Sequence, residues 1–153
     1  MKKQDIIVRP ATIDDLEAIL AIEKRAFQKD RFGKRQYIYL LRKAKSTVYL
    51  VITRKKVAGT AVMLWRRNSK TGRLYNIAVH PDFQGQGMGA VLMEACEKQC
   101  RKRSCTVVTL EVRSDNKDAI RFYQNRGYDI TMTLKRYYSD GTDGLRMVKK
   151  LNR

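Results

Sequence analysis

The stretch Asn76-Ile-Ala-Val-His80-Pro-Asp-Phe-Gln84-Gly-Gln-Gly-Met-Gly-Ala90 decides the fold. A short apolar run ends at Val79, Pro81 stops it, and glycines at positions 85, 87 and 89 precede a helical pattern. Glycine allows backbone conformations and close approaches that a Cβ forbids. A glycine-rich turn that opens a helix directs several free N–H groups, and the positive end of the helix dipole, at one point. The stretch therefore predicts a strand, a turn and a helix that together bind a phosphate or pyrophosphate.

The pattern on both sides of this stretch predicts further strands and helices. Strands are expected at 5–9, 47–53, 57–65, 73–79, 106–112, 128–137 and 145–151. Helices are expected after a capping box at 12–15, from about 34, after the glycine turn, and after an N-cap at 115–116. The order is β-α-α-β-β-β-α-β-α-β-β, in one domain over residues 1–153. Hairpins at both ends and alternation in the middle predict an α/β (α+β) fold. Its single mixed, mostly antiparallel sheet would carry helices on both faces.

Composition excludes several classes of protein. With 43% hydrophobic residues in 153, the chain can bury a core and is not of the disordered class. No apolar run approaches the roughly 20 residues of a membrane helix, and the basic start lacks the apolar region of a signal peptide. We therefore expect a cytoplasmic protein. The cysteines Cys96, Cys100 and Cys105 are odd in number and lack a zinc-like spacing, so we expect buried, reduced thiols and no metal site.

The net charge of +18 predicts attraction to polyanions such as nucleic acid or ribosomes. The basic residues are spread along the sequence from Lys2 to Arg153. Their densest clusters, at 54–56, 66–67 and 101–103, fall at expected turns and helix ends. No helix-turn-helix, zinc finger or aromatic ribonucleoprotein motif is found. Charge alone leaves association with polyanions open.

The glycine turn can be compared with three types of phosphate-binding loop. A Walker loop closes with Gly-Lys-Ser/Thr, and Met88-Gly89 stands there instead. A dinucleotide fingerprint requires G-x-G-x-x-G, whereas these glycines alternate. The pattern that fits is Q-x-x-G-x-G, formed by Gln84, Gly87 and Gly89.

A second motif lies downstream, Leu110-Glu-Val-Arg-Ser-Asp-Asn116, and it continues through Ala119 and Phe122-Tyr123 to Gly127-Tyr128. Together the two motifs resemble the GNAT superfamily of acetyl-CoA-dependent N-acetyltransferases. The resemblance covers nearly the whole chain and is closest to the ribosomal-protein-alanine (RimI) and related N-terminal acetyltransferases. It implies an enzyme that moves an acetyl group from acetyl-CoA directly to a primary amine, most naturally a protein or peptide N-terminal α-amine.

The resemblance also implies how acetyl-CoA is bound. Backbone groups of Ile77, Ala78 and Val79 would contact its acetyl and pantetheine part, and a strand N–H near Val79 would stabilise the oxyanion. The pyrophosphate would lie against Gln84, Gly85, Gln86, Gly87, Met88 and Gly89. Asn116 would contact the pantetheine arm, although a helix N-cap explains this residue equally well.

The resemblance further assigns the chemistry. Tyr123 would be the general acid for the leaving thiolate, and its alternative is a core aromatic. Glu111 would be the general base, and its alternatives are an exposed strand carboxylate or an ion-pair partner of Arg113. Tyr137 and Tyr138 would hold the first residues of the acceptor, or form only a strand-end aromatic pair. His80, although beside the cofactor loop, is expected to be a turn residue.

The acceptor remains open at this point. The segment 28–45 is strongly basic and has no evident counterpart in the RimI enzymes, so an acidic or anionic acceptor is plausible. One alternative acceptor is a lysine side chain, a polyamine or another small amine. An alternative of another class is a basic nucleic-acid- or ribosome-binding protein with a vestigial acetyl-CoA site, which the pairing of Glu111 with Tyr123 disfavours.

Overall fold

The computed structural model describes residues 5–27, 31–42 and 45–152, and its elements follow the predicted order. The strands are β1 (Ile6–Pro10), β2 (Ser46–Thr53), β3 (Lys56–Trp65), β4 (Thr71–Val79), β5 (Val107–Arg113), β6 (Asp129–Leu134) and β7 (Gly144–Lys150). The helices are α1 (Leu16–Ala26), α2 (Lys34–Arg42), α3 (Met88–Lys102) and α4 (Lys117–Asn125). Part of the basic segment 28–45 lies outside the described residues.

The strands form one seven-stranded sheet in the order β1-β2-β3-β4-β5-β7-β6. β4 and β5 pair in parallel, and the other five neighbouring pairs of this sheet are antiparallel. α3 is the crossover that a parallel pair requires. The predicted mixed, mostly antiparallel sheet is therefore confirmed.

Helices cover both faces of the sheet because its central strands are apolar on both sides. In β2, Val48 and Leu50 pack with α1 and α2, whereas the alternate residues Tyr49 and Val51 pack with α3. Ile120 and Tyr123 of α4 belong to the same apolar cluster as Tyr49, Val51 and α3. Alternate residues of a strand point to opposite faces, so α1 and α2 lie on one face and α3 and α4 on the other.

The parallel pair is short, and this shapes the site. Register between β4 and β5 runs from Thr71 opposite Val107 to Leu74 opposite Leu110. On its other edge β4 stays paired with β3 as far as Val79. Beyond Leu74 and Leu110 the two strands therefore separate within the described sheet, and a cleft opens between them.

One strand boundary was predicted wrongly. The sequence pattern extends the sixth strand to residue 137, but β6 ends at Leu134. Arg136 has φ +51 and its N–H donates to Asp143 Oδ1 at 3.0 Å. This turn takes Tyr137 and Tyr138 off the sheet and towards the cleft.

The start of α1 agrees with the predicted capping box. The Thr12 N–H donates to Asp15 Oδ2 at 2.8 Å, and a short 3₁₀ turn over Ile13–Asp15 leads into the helix. None of the helices in the described part of the chain is long and apolar enough to cross a membrane.

Candidate active site

A cavity of about 270 Å³ occupies the cleft between β4 and β5. Its lining comprises Phe27, Phe32, Leu74–Ile77, Leu110–Arg113, Asn116, Ala119, Tyr123 and Tyr138. Elements from both faces of the sheet thus meet at the point where the strands separate.

The cavity brings five of the predicted site residues together: Ile77, Glu111, Asn116, Tyr123 and Tyr138. The others lie outside its lining. Ala78 and Val79 continue β4, the turn Gln84–Gly89 follows that strand, and Tyr137 precedes Tyr138. The predicted residues therefore form a cavity and an adjoining turn.

The glycine turn has the geometry of an anion site. Gly85 and Gly87 have φ values of +77 and +83, and open space lies where their Cβ atoms would be. The Val91 N–H donates to the Gly87 carbonyl at 3.1 Å. The N–H groups of residues 88–90 precede this first helical bond and face outward at the N-terminus of α3. These residues fit a pyrophosphate, because backbone donors surround a space that any side chain at Gly85 or Gly87 would fill.

The polar side chains around this turn bind its own backbone. The Gln84 amide donates to the Val79 carbonyl, and the Gln86 amide donates to the Asp82 carbonyl, both at 3.3 Å. His80 Nδ1 accepts the Asp82 N–H at 3.0 Å. His80 therefore caps a turn, as expected, and does not line the cavity.

Glu111 is buried between two guanidinium groups. Arg73 Nε donates to Glu111 Oε1 at 2.9 Å, and Arg146 Nε donates to Oε2 at 3.2 Å. The Glu111 side chain is only 7% exposed, whereas the two arginine side chains are 38% and 39% exposed. Glu111 and Arg113 lie on the same face of β5, but Glu111 pairs with Arg73 and Arg146, whereas Arg113 pairs with Asp115 and Asp140. The low exposure of the Glu111 side chain also excludes an exposed carboxylate.

Arg113 instead holds the loop that carries Tyr138. Its guanidinium pairs with Asp140 at 2.7 Å and with Asp115 at 3.1 Å. It also lies over the Tyr138 ring, 4.9 Å from the centroid. These contacts fix Tyr138 at the cavity wall.

Tyr123 lies at the base of the cavity on α4 and is 7% exposed. Its ring packs edge-on against Phe122 and Tyr128, with centroids 5.3 and 5.8 Å away. Burial raises the pKa of the Tyr123 hydroxyl well above its ordinary value, because the phenolate loses its hydration. The hydroxyl therefore keeps its proton throughout the neutral and mildly basic range.

Asn116 and Tyr137 make contacts at the edge of the site. The Asn116 side-chain Oδ1 accepts the Ala119 N–H at 3.1 Å, so the helix N-cap is confirmed. The Tyr137 hydroxyl accepts from Arg73 Nη2 at 3.3 Å. The Tyr137 ring is 44% exposed and meets the Tyr138 ring edge-on at 5.1 Å.

Sequence reasoning missed a polar cluster behind the cavity. Glu23, 1% exposed on α1, accepts from the Asn76 amide at 2.7 Å and from the Tyr37 hydroxyl at 3.2 Å. Asn76 itself lines the cavity, so the cluster ties α1 and α2 to its wall. The sequence feature that could have predicted this cluster is the position of Glu23, a charged residue on the apolar stripe of α1, seven positions after Leu16.

The three cysteines are buried, free thiols, as expected. Burial raises the pKa of Cys100 to about 12 and that of Cys96 further. Over residues 5–27, 31–42 and 45–152, no group of three or more His, Cys, Asp or Glu side chains is arranged to hold a metal ion.

Comparison with known proteins finds similarity along nearly the whole chain. A family model described as the acetyltransferase (GNAT) family matches residues 13–128. An uncharacterised N-acetyltransferase of Methanocaldococcus jannaschii is 30% identical over 95% of this chain and 92% of the relative. The ribosomal protein bS18-alanine N-acetyltransferase of Salmonella typhimurium is 32% identical over 81% of each chain. The crystal structure of the ribosomal-protein-S18-alanine N-acetyltransferase from Escherichia coli superposes with a TM-score of 0.86. That match has 26% identity and covers 97% of this chain and 95% of the other.

Proposed function

The chain belongs to the acetyltransferase (GNAT) family and is an N-acetyltransferase, and from this premise we propose that its acceptor is the N-terminal α-amine of a protein or peptide. The observation that carries the proposal is the cavity, where Glu111, Tyr123 and Tyr138 meet beside the separating edge of β4. The acceptor class draws further support from the relatives that act on a ribosomal-protein alanine.

Acetyl-CoA, the proposed donor, supplies a thioester whose carbonyl carbon is open to attack by an amine. The turn Gln84–Gly89 would hold its pyrophosphate through backbone N–H groups. The part of β4 that β5 leaves unpaired, Ile77–Val79, would hold the pantetheine arm and the acetyl oxygen. Asn116, the N-cap of α4 at the cavity wall, would contact the same arm.

Tyr123 is the proposed general acid. It is buried, it lines the cavity, and its raised pKa keeps the hydroxyl protonated until a thiolate departs nearby. A positioned proton donor of this kind contributes about 10²–10⁴-fold to a rate.

Glu111 is the proposed general base. An N-terminal amine has an ordinary pKa of about 7.7–8.0 against about 10.4 for lysine, so its proton is removed at modest cost. Arg73 and Arg146 carry two positive charges against the single charge of Glu111. A net positive environment disfavours an ammonium group and thereby lowers the pKa of an incoming amine. The two arginines would thus favour the neutral form of the acceptor amine and fix the orientation of Glu111.

The acceptor would enter between Tyr138, which the Arg113 ring contact holds at the wall, and the aromatic residues Phe27 and Phe32 on the opposite side. Tyr137, exposed and bonded to Arg73, would contact the residues that follow the acceptor amine.

The test is an acetyl-CoA turnover assay with three acceptors. They are a lysine-free peptide with a free N-terminus, the same peptide with a blocked N-terminus and one lysine, and a polyamine. At pH 8 the neutral fraction of an α-amine exceeds that of lysine on the order of 100-fold, so kcat/KM should favour the first peptide by about that factor. Mass spectrometry locates the acetyl group. Faster acetylation of the blocked peptide or the polyamine would show that the acceptor is a side-chain or small amine instead.

A further inference from the structure

The fold gathers basic side chains that are scattered in the sequence. The connections from α2 to β2, from β3 to β4 and from α3 to β5 meet at one end of the sheet. The Trp65 N–H donates to the Lys45 carbonyl at 2.8 Å, and the Thr106 N–H donates to the Lys70 carbonyl at 2.7 Å. We call this surface the basic end, and it comprises Lys45, Arg66, Arg67, Lys70, Arg101, Lys102 and Arg103.

No carboxylate compensates this surface within the described part of the chain. Stretches 45–46, 66–70 and 101–106 contain no Asp or Glu. The ion pairs found among residues 5–27, 31–42 and 45–152 leave out all seven of these side chains. The basic end therefore carries seven of the chain's positive charges without an ion pair among the described residues, and a cluster of like charges attracts polyanions.

The basic end also contains a shaped groove. A depression of about 470 Å³ is lined by Lys45, Ser46, Trp65, Arg66, Arg67 and Arg103. The Arg103 guanidinium lies over the Trp65 ring, 4.3 Å from its centroid, and the indole N–H is anchored by Thr47 Oγ1 at 3.0 Å. Stacking holds the Arg103 fork in one plane, and among the residues that the structure describes no hydrogen bond occupies its in-plane donors. Guanidinium forks of this kind match phosphate geometry.

We propose that the basic end binds the phosphate backbone of single-stranded nucleic acid. The charge is of the required sign and density, and three of the four cations that line the groove are arginines. The surface consists of turns, strand ends and the last turn of α3, so it offers a helix end but no exposed helix face or ribbon to enter a duplex groove. A basic groove with a flanking aromatic ring is instead typical of single-strand binding.

The basic end and the glycine turn lie at opposite ends of β4. The basic end borders the first residue of β4, whereas the glycine turn follows the last, and the nine residues of β4 span roughly 25–30 Å. A nucleic-acid strand bound at the basic end therefore leaves the glycine turn open. Binding and acetyl transfer should therefore be independent of each other.

The test measures anisotropy of a fluorescent 20-nucleotide RNA over a range of KCl concentrations. The patch variant is Arg66→Gln/Arg67→Gln/Arg103→Gln. The matched control, Arg54→Gln/Lys55→Gln/Lys56→Gln, removes three charges from the β2–β3 turn at the other end of the sheet. Because each single-strand phosphate contact adds about 0.7 to the salt slope, the slope of log K against log salt should fall by about 2 in the patch variant. The control should stay within about 0.5 of the wild-type slope.

Two further measurements test whether the patch variant still folds and still acetylates a peptide. Thermal melts and turnover of a short peptide should be unchanged in the patch variant, since its substitutions are exposed. If Arg103 proves necessary for folding, Lys45→Gln/Arg66→Gln/Arg67→Gln replaces that variant. If the patch and control variants lost RNA affinity equally, the binding would depend on net charge alone, and the proposal would be overturned. Stronger competition by polyglutamate or anionic vesicles than by RNA at equal charge, or tighter binding of a duplex than of the single strand, would also overturn it.

Discussion

Glu111 and Tyr123 are held in the cavity by different kinds of interaction. Glu111 is clamped on both carboxylate oxygens by arginines of neighbouring strands. Tyr123 is packed between aromatic rings, and burial keeps its hydroxyl protonated. The proposed base is thus fixed by charge and the proposed acid by packing. Their separate removal should have separable effects.

Tyr123→Phe removes the proposed acid and keeps the ring. We expect kcat to fall about 100-fold, in the range typical of general acids, while the Kd for acetyl-CoA stays within about twofold. Stopped-flow turnover and calorimetric binding measure the two quantities. Tyr49→Phe is the control, because Tyr49 is buried in the same core but does not line the cavity. Unchanged kcat in Tyr123→Phe would remove Tyr123 from the chemistry.

Glu111→Gln keeps the shape of the side chain and removes the proposed base. We expect kcat/KM to fall about 100-fold. The pH–rate profile should retain only the ionisation of the acceptor amine, near about 7.7–8.0. Arg146→Gln is the companion variant, because it breaks one ion pair and leaves the carboxylate in place. If both variants show the same altered profile, Glu111 acts through its ion pairs and not as the base.

At the level of strands and helices, the glycine turn depends on backbone conformation. Gly87 is the N-cap of α3 and has φ +83, and the space that a Cβ would occupy at this position is open. The helix can thus start directly at the N–H groups that face outward. A side chain at this position meets strain and blocks the same donors.

Gly87→Val should weaken both folding and donor binding. A β-branched residue in the left-handed region costs about 1–2 kcal/mol of unfolding free energy. Loss of one hydrogen bond to a charged phosphate raises the Kd for acetyl-CoA about tenfold or more. Urea denaturation and calorimetry measure these changes. Gly127→Ala is the control, since it has φ +94 away from the turn and should lose stability but keep donor affinity. Normal affinity in Gly87→Val would mean that the pyrophosphate lies elsewhere.

The sequence predicted the individual strands and helices better than it predicted the contacts between them. Local signals placed every strand and helix within a few residues, and only the turn at Arg136 shortened β6 by three residues against the expectation. The cleft could not be predicted, because it depends on where pairing between β4 and β5 stops. The arginines that clamp Glu111 come from neighbouring strands, so their roles follow from register and not from spacing. The basic end likewise required three connections, distant in sequence, to meet.

In the molecule as a whole, Glu23 joins both helices of one face to the sheet. It lies on α1 and bonds to Tyr37 of α2 and to Asn76 of β4. Burial raises the pKa of Glu23, because water no longer stabilises its charge. The folded protein therefore binds a proton that the unfolded chain releases, in a window that begins at the ordinary glutamate pKa of about 4.3. The stability from this proton is complete below that value and is lost as the pH rises through the folded pKa.

Glu23→Gln should flatten this dependence. We expect the unfolding free energy of the wild type to decrease from pH 4.5 to pH 7 more steeply than that of the variant. Urea titrations at half-unit intervals measure both curves. Glu17→Gln, an exposed glutamate on the same helix, should follow the wild type. Parallel curves for Glu23→Gln and the wild type would place the pH dependence in other groups.

The short parallel pairing of β4 with β5 also has a mechanical consequence. It contains four residue pairs, fewer than the five to eight of the other strand pairs in the described sheet. β1 and β7 lie on opposite sides of this pairing, so tension applied through them must cross it. In an optical trap we expect rupture to begin there and to release two sub-sheets in succession. The mechanically weakest strand pair of the described sheet then borders the cavity of the candidate active site.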